Sequence, residues 1–199
     1  MIHQSSGYTI KLITAERFRL DGGAMFGSVP KVLWDKRIAG DEANRIQMCC
    51  NVLLLEGHGR RILVDLGMGR KWSEKEQAIY AIEYSSDGPL EILAPNVTDL
   101  LLTHLHFDHV GGISRRNANG TLEPAFPGAK LLLSARNYEH ARNCGVRERA
   151  SYIPENVDLV EAYDYRLTHH GEEVLPNIRV YYSNGHTHGL QWILIGKGE

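Results

Sequence analysis

The chain has 199 residues, of which 43% are hydrophobic and 23% are charged, and its formal net charge is -2 at pH 7. This length and composition are typical of one globular domain that can bury a sizeable core. The lysines and arginines do not form a basic run, which argues against nucleic acid or a membrane surface as a partner. No apolar stretch is long enough to span a bilayer, and three cysteines do not make a disulfide framework, so we expect a cytoplasmic protein.

The first third of the chain is patterned mainly as strands. Residues 9–14 and 17–20 predict two short strands, and the glycine-rich stretch 21–27 that follows them predicts a loop. The apolar runs 51–56 and 60–65 are joined by two glycines and a histidine, which predicts a hairpin. Because both runs are nearly continuous in apolar residues, we expect their strands to be covered on both faces.

Helix and strand signals alternate through the rest of the chain. Ser73 and Glu76 have the spacing of a capping box at the start of a helix, and Ser134 can cap another helix that runs to about Cys144. Further strands are predicted at residues 99–103, 130–133, 179–182 and 190–195. Strands mixed with helices and hairpins imply a layered α/β or α+β fold, with polar segments just beyond the strand ends.

The most specific segment follows the predicted strand 99–103. Four potential metal ligands, His104, His106, Asp108 and His109, occupy six consecutive positions there. Imidazole nitrogen and carboxylate oxygen suit zinc and other first-row metals. His104 and His106 project to the same side of an extended segment, and a turn can aim Asp108 and His109 at a neighbouring position. The pattern therefore suits two adjacent metals, whereas scattered surface histidines are a poor account of so dense a cluster.

Three segments together carry a family resemblance. The stretch from Thr103 to His109 resembles the His-x-His-x-Asp-His signature of the metallo-β-lactamase superfamily. Residues 64–67 (Val-Asp-Leu-Gly) resemble its earlier motif, and residues 184–189 (Asn-Gly-His-Thr-His-Gly) resemble its Gly-His-Thr-x-Gly motif, in the same order and spacing. Residues 20–34, with Asp-Gly-Gly-Ala-Met-Phe-Gly and a later Val-Pro-Lys and Trp, resemble the branch of quorum-quenching N-acyl homoserine lactonases and methyl-parathion-type organophosphate hydrolases.

The resemblance implies an αββα sandwich over residues 1–199 and a site for one or two zinc ions. By position, the first metal would be held by His104, His106 and His186, and Asp108 and His109 would contribute to the second. Asp65 matches a residue that supports the site in the family without binding metal. His188 stands where many relatives have proline, so we expect a supporting or structural part for it.

The implied activity is a metal-dependent hydrolase that opens lactones or cleaves related esters with a metal-bound hydroxide. Asp108 would orient the nucleophile or help to move its proton. Met25, Phe26 and Trp34 either form an apolar wall for the small-molecule ester or lactone, or pack in the core. A phosphotriesterase or arylesterase with the same ligands, a non-catalytic metal-binding protein and a redox member of the superfamily are the alternatives.

The sequence departs from the family's pattern after His188, where it contains no further Asp, His or Cys. The family has a later Asp that bridges the metals and a later His that completes the second site. We therefore expect an incomplete domain that lacks the C-terminal portion of the second layer, with residues 196–199 as a hairpin turn. Alone, such a chain should bind about one metal, show little activity and expose apolar surface that favours a homodimer.

Overall fold

The structure, a computed structural model, describes residues 2–196, so most of the predicted hairpin turn at 196–199 lies outside the described residues. The strands are β1 (Ile2–Ser5), β2 (Tyr8–Asp21), β3 (Arg45–Gly57), β4 (Arg60–Val64), β5 (Glu83–Tyr84), β6 (Asp99–Leu101), β7 (Ser114–Arg116), β8 (Leu122–Pro124), β9 (Lys130–Ser134), β10 (Asp164–Thr168), β11 (Glu173–Leu175), β12 (Ile178–Ser183) and β13 (Leu190–Ile195). The helices are α1 (Gly22–Phe26), α2 (Lys31–Trp34), α3 (Glu74–Tyr80), α4 (Leu90–Leu93), α5 (Phe107–Val110), α6 (Ala135–Arg142) and α7 (Pro154–Asp158). Short 3-10 turns lie at Gly111–Ile113, Arg149–Ser151 and Leu159–Ala162.

The strands form one large mixed sheet and smaller antiparallel ones. The large sheet has the order β1-β2-β3-β4-β6-β9-β10, with β5 beside β2. Neighbours from β1 to β4 are antiparallel, whereas β4, β6, β9 and β10 run parallel. Strands β11, β12 and β13 make a second sheet, and β7 pairs with β8. Because parallel strands end at the same edge, the loops after β4 and β6 emerge side by side.

The central strands are buried on both faces, as their continuous apolar runs predicted. In β4, Leu63 belongs to the core shared with the helices, whereas Ile62 and Val64 pack toward the second sheet with Leu175 and Ile178. Successive side chains of a strand point to opposite faces, so an uninterrupted apolar run fills two cores. The molecule is therefore layered as helices, large sheet and second sheet, a mixed α/β fold of the predicted class.

Two local predictions at the start of the chain are wrong. Residues 9–14 and 17–20 belong to one strand, β2, whose register with β3 shifts between Thr14 and Glu16, so an irregularity bends the strand without ending it. The predicted loop 21–27 contains helix α1, whose N-terminus is capped by Asp21 through a bond of 2.7 Å from Ala24 N to Oδ1. The two glycines of α1 favoured a loop in the sequence. Gly22 is required because a Cβ there would lie 2.5 Å from the indole of Trp34.

The helix-capping predictions are confirmed. Ser73 and Glu76 form the reciprocal capping box at the start of α3. Ser134 Oγ accepts from Asn137 N at 3.1 Å and caps α6, which ends at Arg142 rather than at Cys144.

The outer face of the second sheet carries apolar side chains. Tyr181 lies directly opposite Trp192 in the pairing of β12 with β13, and Trp192 is 67% exposed. Among residues 2–196 no helix has the length and apolar character needed to cross a membrane.

Candidate metal centre

A carboxylate at the end of β4 joins the two loops that emerge from the parallel edge. Asp65 adopts a left-handed backbone conformation (φ 61°), which aspartate tolerates better than most residues. Its carboxylate accepts from Thr103 N at 2.8 Å and from Thr103 Oγ1 at 2.8 Å. It also lies 2.8 Å from His109 Nδ1. Asp65 therefore fixes the start and the end of the histidine-rich segment at once.

Three histidines from two distant loops converge beside this junction. One side-chain nitrogen from each of His104, His106 and His186 lies within 4.8 Å of the others. His106 Nδ1 is 3.1 Å from His186 Nε2, although the two residues are 80 positions apart. His104 and His106 are buried, and within residues 2–196 the Nε2 atom of each has no hydrogen-bond partner, whereas His186 is exposed. The group thus combines nitrogen lone pairs of two buried histidines with one exposed histidine, so it is open to solvent on the side of His186.

The electrostatics keep the two buried imidazoles neutral. Burial, followed by the nearby His109, holds the pKa of His104 far below its usual range. Burial and the neighbouring His186 lower the pKa of His106 to about 4. At His109 burial acts in the same direction, but the hydrogen bond and charge of Asp65 outweigh it and raise the pKa. Neutral imidazoles offer the nitrogen lone pairs that metal coordination requires.

Asp108 and His109 form a neighbouring pair on the other side of the segment. Asp108 Oδ2 lies 3.6 Å from His109 Nε2, the nitrogen that does not face Asp65. The His109 ring centroid is 4.1 Å from that of His104, so the pair adjoins the three-histidine group. Leu66 N donates to His109 O at 2.7 Å, and this bond holds the segment against the loop after β4.

Glycines allow these two loops to lie in direct backbone contact. A Cβ on Gly111 would lie 2.1 Å from Met68 O, and one on Gly112 would lie 2.2 Å from Leu66 O. Gly112 N also donates to Gly67 O at 3.2 Å. Gly111 and Gly112 are therefore required for the close approach of the two loops, in addition to the tight turn that the sequence indicated.

Several polar residues behind the site carried no signal in the sequence. Glu16 is buried on β2 and accepts from Met68 N at 3.1 Å; burial raises the pKa of its carboxyl to about 7. The ring of Tyr152 packs edge-on against His106, and its hydroxyl lies 2.6 Å from Thr187 Oγ1. Lone buried polar residues far from any motif cannot be distinguished by sequence pattern alone from surface ones.

The remaining predicted residues fall in two other places. His188 is exposed, and its Nε2 lies 2.8 Å from the guanidinium of Arg136; its supporting or structural part stays a prediction. Trp34 is 3% exposed and stacks on Phe26 at 5.2 Å between ring centroids, so it packs as the core alternative describes. Met25 beside them is 45% exposed, and its contact with a substrate stays a prediction.

Comparisons with known proteins agree with this fold. Residues 49–115 match the model of the metallo-beta-lactamase superfamily. An N-acyl homoserine lactonase of Bacillus cereus is 26% identical over 125 residues, which are 63% of this chain and 41% of that protein. The chain thus spans about two fifths of that relative's length.

Solved structures extend the similarity over nearly the whole chain. A probable metal-dependent hydrolase from Staphylococcus aureus superposes with a TM-score of 0.84 and 25% identity, covering 99% of this chain and 72% of that one. AidC, a dizinc quorum-quenching lactonase, superposes with a TM-score of 0.72 and 20% identity, covering 100% and 71%.

The layered sheets, the three converging histidines and these similarities together indicate the fold of metallo-beta-lactamase proteins. Residues 49–115 resemble a metallo-beta-lactamase domain, and N-acyl homoserine lactonases are among the proteins to which the chain is similar.

Proposed function

We propose that this protein is a metal-dependent hydrolase that opens lactones or cleaves related carboxylic esters. The observation that carries the proposal is the convergence of His104, His106 and His186 within 4.8 Å at the edge of the parallel strands. The lactonase relative from Bacillus cereus supports the choice of substrate class.

The residues present fit a divalent metal. Burying a polar nitrogen without a partner is unfavourable, yet His104 and His106 each bury such an Nε2 atom side by side. A cation shared by these nitrogens and His186 would satisfy both. Three histidines with one open position are a ligand set that zinc takes in catalytic sites, so we propose zinc as the metal. Asp108 and His109 are the proposed start of an adjacent second site.

The chemistry divides between the ion and the chain. A divalent ion bound at the three histidines supplies Lewis-acid chemistry, polarising the substrate carbonyl and making water more acidic. Asp108 has a partly exposed carboxylate 3.6 Å from His109 Nε2, and we assign to it the acceptance of a proton from the attacking water. The water oxygen bonds to the carbonyl carbon, the bond from that carbon to the ring oxygen breaks, and the proton passes to the departing oxygen. Asp65 holds His109 and Thr103 in place throughout.

Metal analysis combined with hydrolysis tests the proposal. We expect zinc to bind tightly at the three histidines and an N-acyl homoserine lactone to be hydrolysed. Chelation should abolish turnover, and added zinc should restore it. The variant His106→Ala should show neither zinc binding nor hydrolysis. Faster turnover of paraoxon-type esters than of lactones would reassign the substrate class. Loss of folding on chelation without any hydrolysis beforehand would instead favour a structural metal. The cytoplasmic location and a homodimer remain predictions.

A further inference from the structure

One buried amide connects the two loops that carry the three histidines. Asn137 is 1% exposed in the first turn of α6. Its Oδ1 accepts from Leu105 N at 2.9 Å, and its Nδ2 donates to His188 O at 2.8 Å. The same Nδ2 donates to Tyr152 Oη at 3.1 Å. All of the polar atoms of this side chain are thus engaged, and two of the bonds reach backbone groups of different loops.

The two backbone groups are adjacent to the histidines in the chain. Leu105 stands between His104 and His106, and His188 follows His186 by two residues. Because an amide is planar and rigid, its oxygen and nitrogen set a fixed separation between the two backbone groups that they bind. A shift of either loop would have to break a hydrogen bond in the protein interior, where an unsatisfied partner is costly.

The loop after β12 rests directly on the start of α6. A Cβ on Gly189 would lie 2.6 Å from Asn137 N and 2.7 Å from Arg136 Cβ, and Gly189 has a left-handed φ of 72°. Ser134 caps the same turn, so Asn137 projects from a fixed base. Asn137 is therefore held in place by the helix and forms hydrogen bonds to both loops from one position.

We infer that Asn137 is a positioning residue that sets the spacing between the His104–His106 segment and His186, and thereby the metal affinity of the site. The inference rests on the proposed function for the presence of the metal. The hydrogen bonds from Asn137 to Leu105 N and His188 O do not require the metal. Residues that orient metal ligands from behind typically change metal affinity by about 10- to 100-fold when removed.

Asn156 provides a matched control. It is 0% exposed on α7, yet neither its Oδ1 nor its Nδ2 has a hydrogen-bond partner among the described residues. Asn156→Ala therefore removes a buried amide of the same size without removing a hydrogen bond to either loop. Asn137→Asp gives a graded variant, because it keeps the acceptor for Leu105 N and loses the donor to His188 O.

Cobalt binding measures the metal side of the inference. The dissociation constant of Co²⁺ is obtained by chelator competition, with the d–d absorption spectrum as a report of coordination geometry. We expect Asn137→Ala to weaken binding about 10- to 100-fold and to alter the spectrum, Asn137→Asp to weaken it less, and Asn156→Ala to stay within about twofold of the native protein. If the alanine variant does not fold, the aspartate variant decides the question.

Hydrogen exchange of the Leu105 backbone amide measures its bond to Asn137 in the metal-free protein. In the metal-free protein the Leu105 amide should lose protection in Asn137→Ala and keep it in Asn137→Asp and Asn156→Ala. A folded Asn137→Ala with native cobalt affinity, native spectrum and a protected Leu105 amide would overturn the inference. A native chain that binds no cobalt would overturn the proposed function instead, and the Leu105 exchange would still decide whether Asn137 holds the loop.

Discussion

His109 Nδ1 lies 2.8 Å from Asp65 Oδ2, so a carboxylate at the end of β4 orients a histidine that lies beyond the end of β6. The same carboxylate accepts from the backbone and the hydroxyl of Thr103. This places Asp65 at the one point where two adjacent parallel strands deliver their loops, and it leaves His109 Nε2 free to face Asp108.

Replacing Asp65 should damage stability and metal binding together. Asp65→Ala leaves partly buried donors of Thr103 and His109 unsatisfied, which should cost about 1–3 kcal/mol in urea unfolding and weaken zinc binding about 10- to 100-fold. The control is Asp164→Asn on β10, whose carboxylate is 78% exposed and pairs only loosely with Lys130 at 3.6 Å. Equal effects of the two substitutions would contradict the role of Asp65.

Two histidines of one exposed loop should differ sharply in metal binding. His186→Ala removes a donor of the three-histidine group, so zinc affinity should fall by at least about 100-fold, more than the loss of a supporting residue causes. His188→Ala removes the contacts with Arg136 and with the His140 ring, neither of which is a proposed ligand, and should change affinity by less than about tenfold. Competition with a zinc-sensitive dye measures both, and a reversed order would reject the assignment of His186.

The buried Glu16 should make stability depend on pH. Its pKa is raised from 4.5 to about 7, mainly by burial, so the folded state holds the proton more tightly than the unfolded state. Stability should therefore be greatest below pH 4.5 as far as this group is concerned, and should fall by up to about 3 kcal/mol as the pH rises through 7.

Glu16→Gln should flatten that slope, since the amide keeps the acceptor for Met68 N and does not titrate. Urea unfolding of the metal-free protein between pH 5 and 8 measures the difference. The exposed Glu139→Gln serves as the control and should retain the native slope. A native slope in Glu16→Gln would show that another group causes the dependence.

The Gly111 backbone contact predicts a large cost for a single methyl group. Gly111→Ala places a Cβ 2.1 Å from Met68 O, so the two loops must separate, at about 3 kcal/mol or more, together with weakened metal binding. Gly145→Ala is the matched substitution, because a Cβ there meets nothing within 4 Å. Thermal unfolding should show a clear loss for the first variant and almost none for the second.

Met25 and Trp34 separate substrate contact from core packing. Trp34 is 3% exposed, so Trp34→Ala should destabilise the protein by about 3–5 kcal/mol. Met25 is 45% exposed, so Met25→Ala should cost less than about 1 kcal/mol. If Met25 contacts the acyl group, the substitution should raise KM for long-chain lactones while kcat stays near the native value. An unchanged KM across chain lengths would remove Met25 from the proposed substrate wall.

The sequence alone predicted those features that depend on residues close together in the chain. The capping box of Ser73 and Glu76, the hairpin of β3 and β4 and the double burial of β4 follow from spacing over a few positions. The density of ligands from His104 to His109 indicated a metal site for the same reason. Helix α1 was not predicted, because Gly22 is required for close contact with Trp34 and local helix propensity contains no information on such a contact.

What only the tertiary structure decided is which distant groups meet. His106 and His186 lie 80 residues apart in the chain and 3.1 Å apart in space, and a family motif could suggest this meeting but spacing could not measure it. Asn137 and Glu16 resemble ordinary polar residues in the sequence, and they acquire roles only because α6 and β2 bury them against the loops. The residue types determine which chemistry is available, whereas the packing of sheet and helix determines the positions at which it is held.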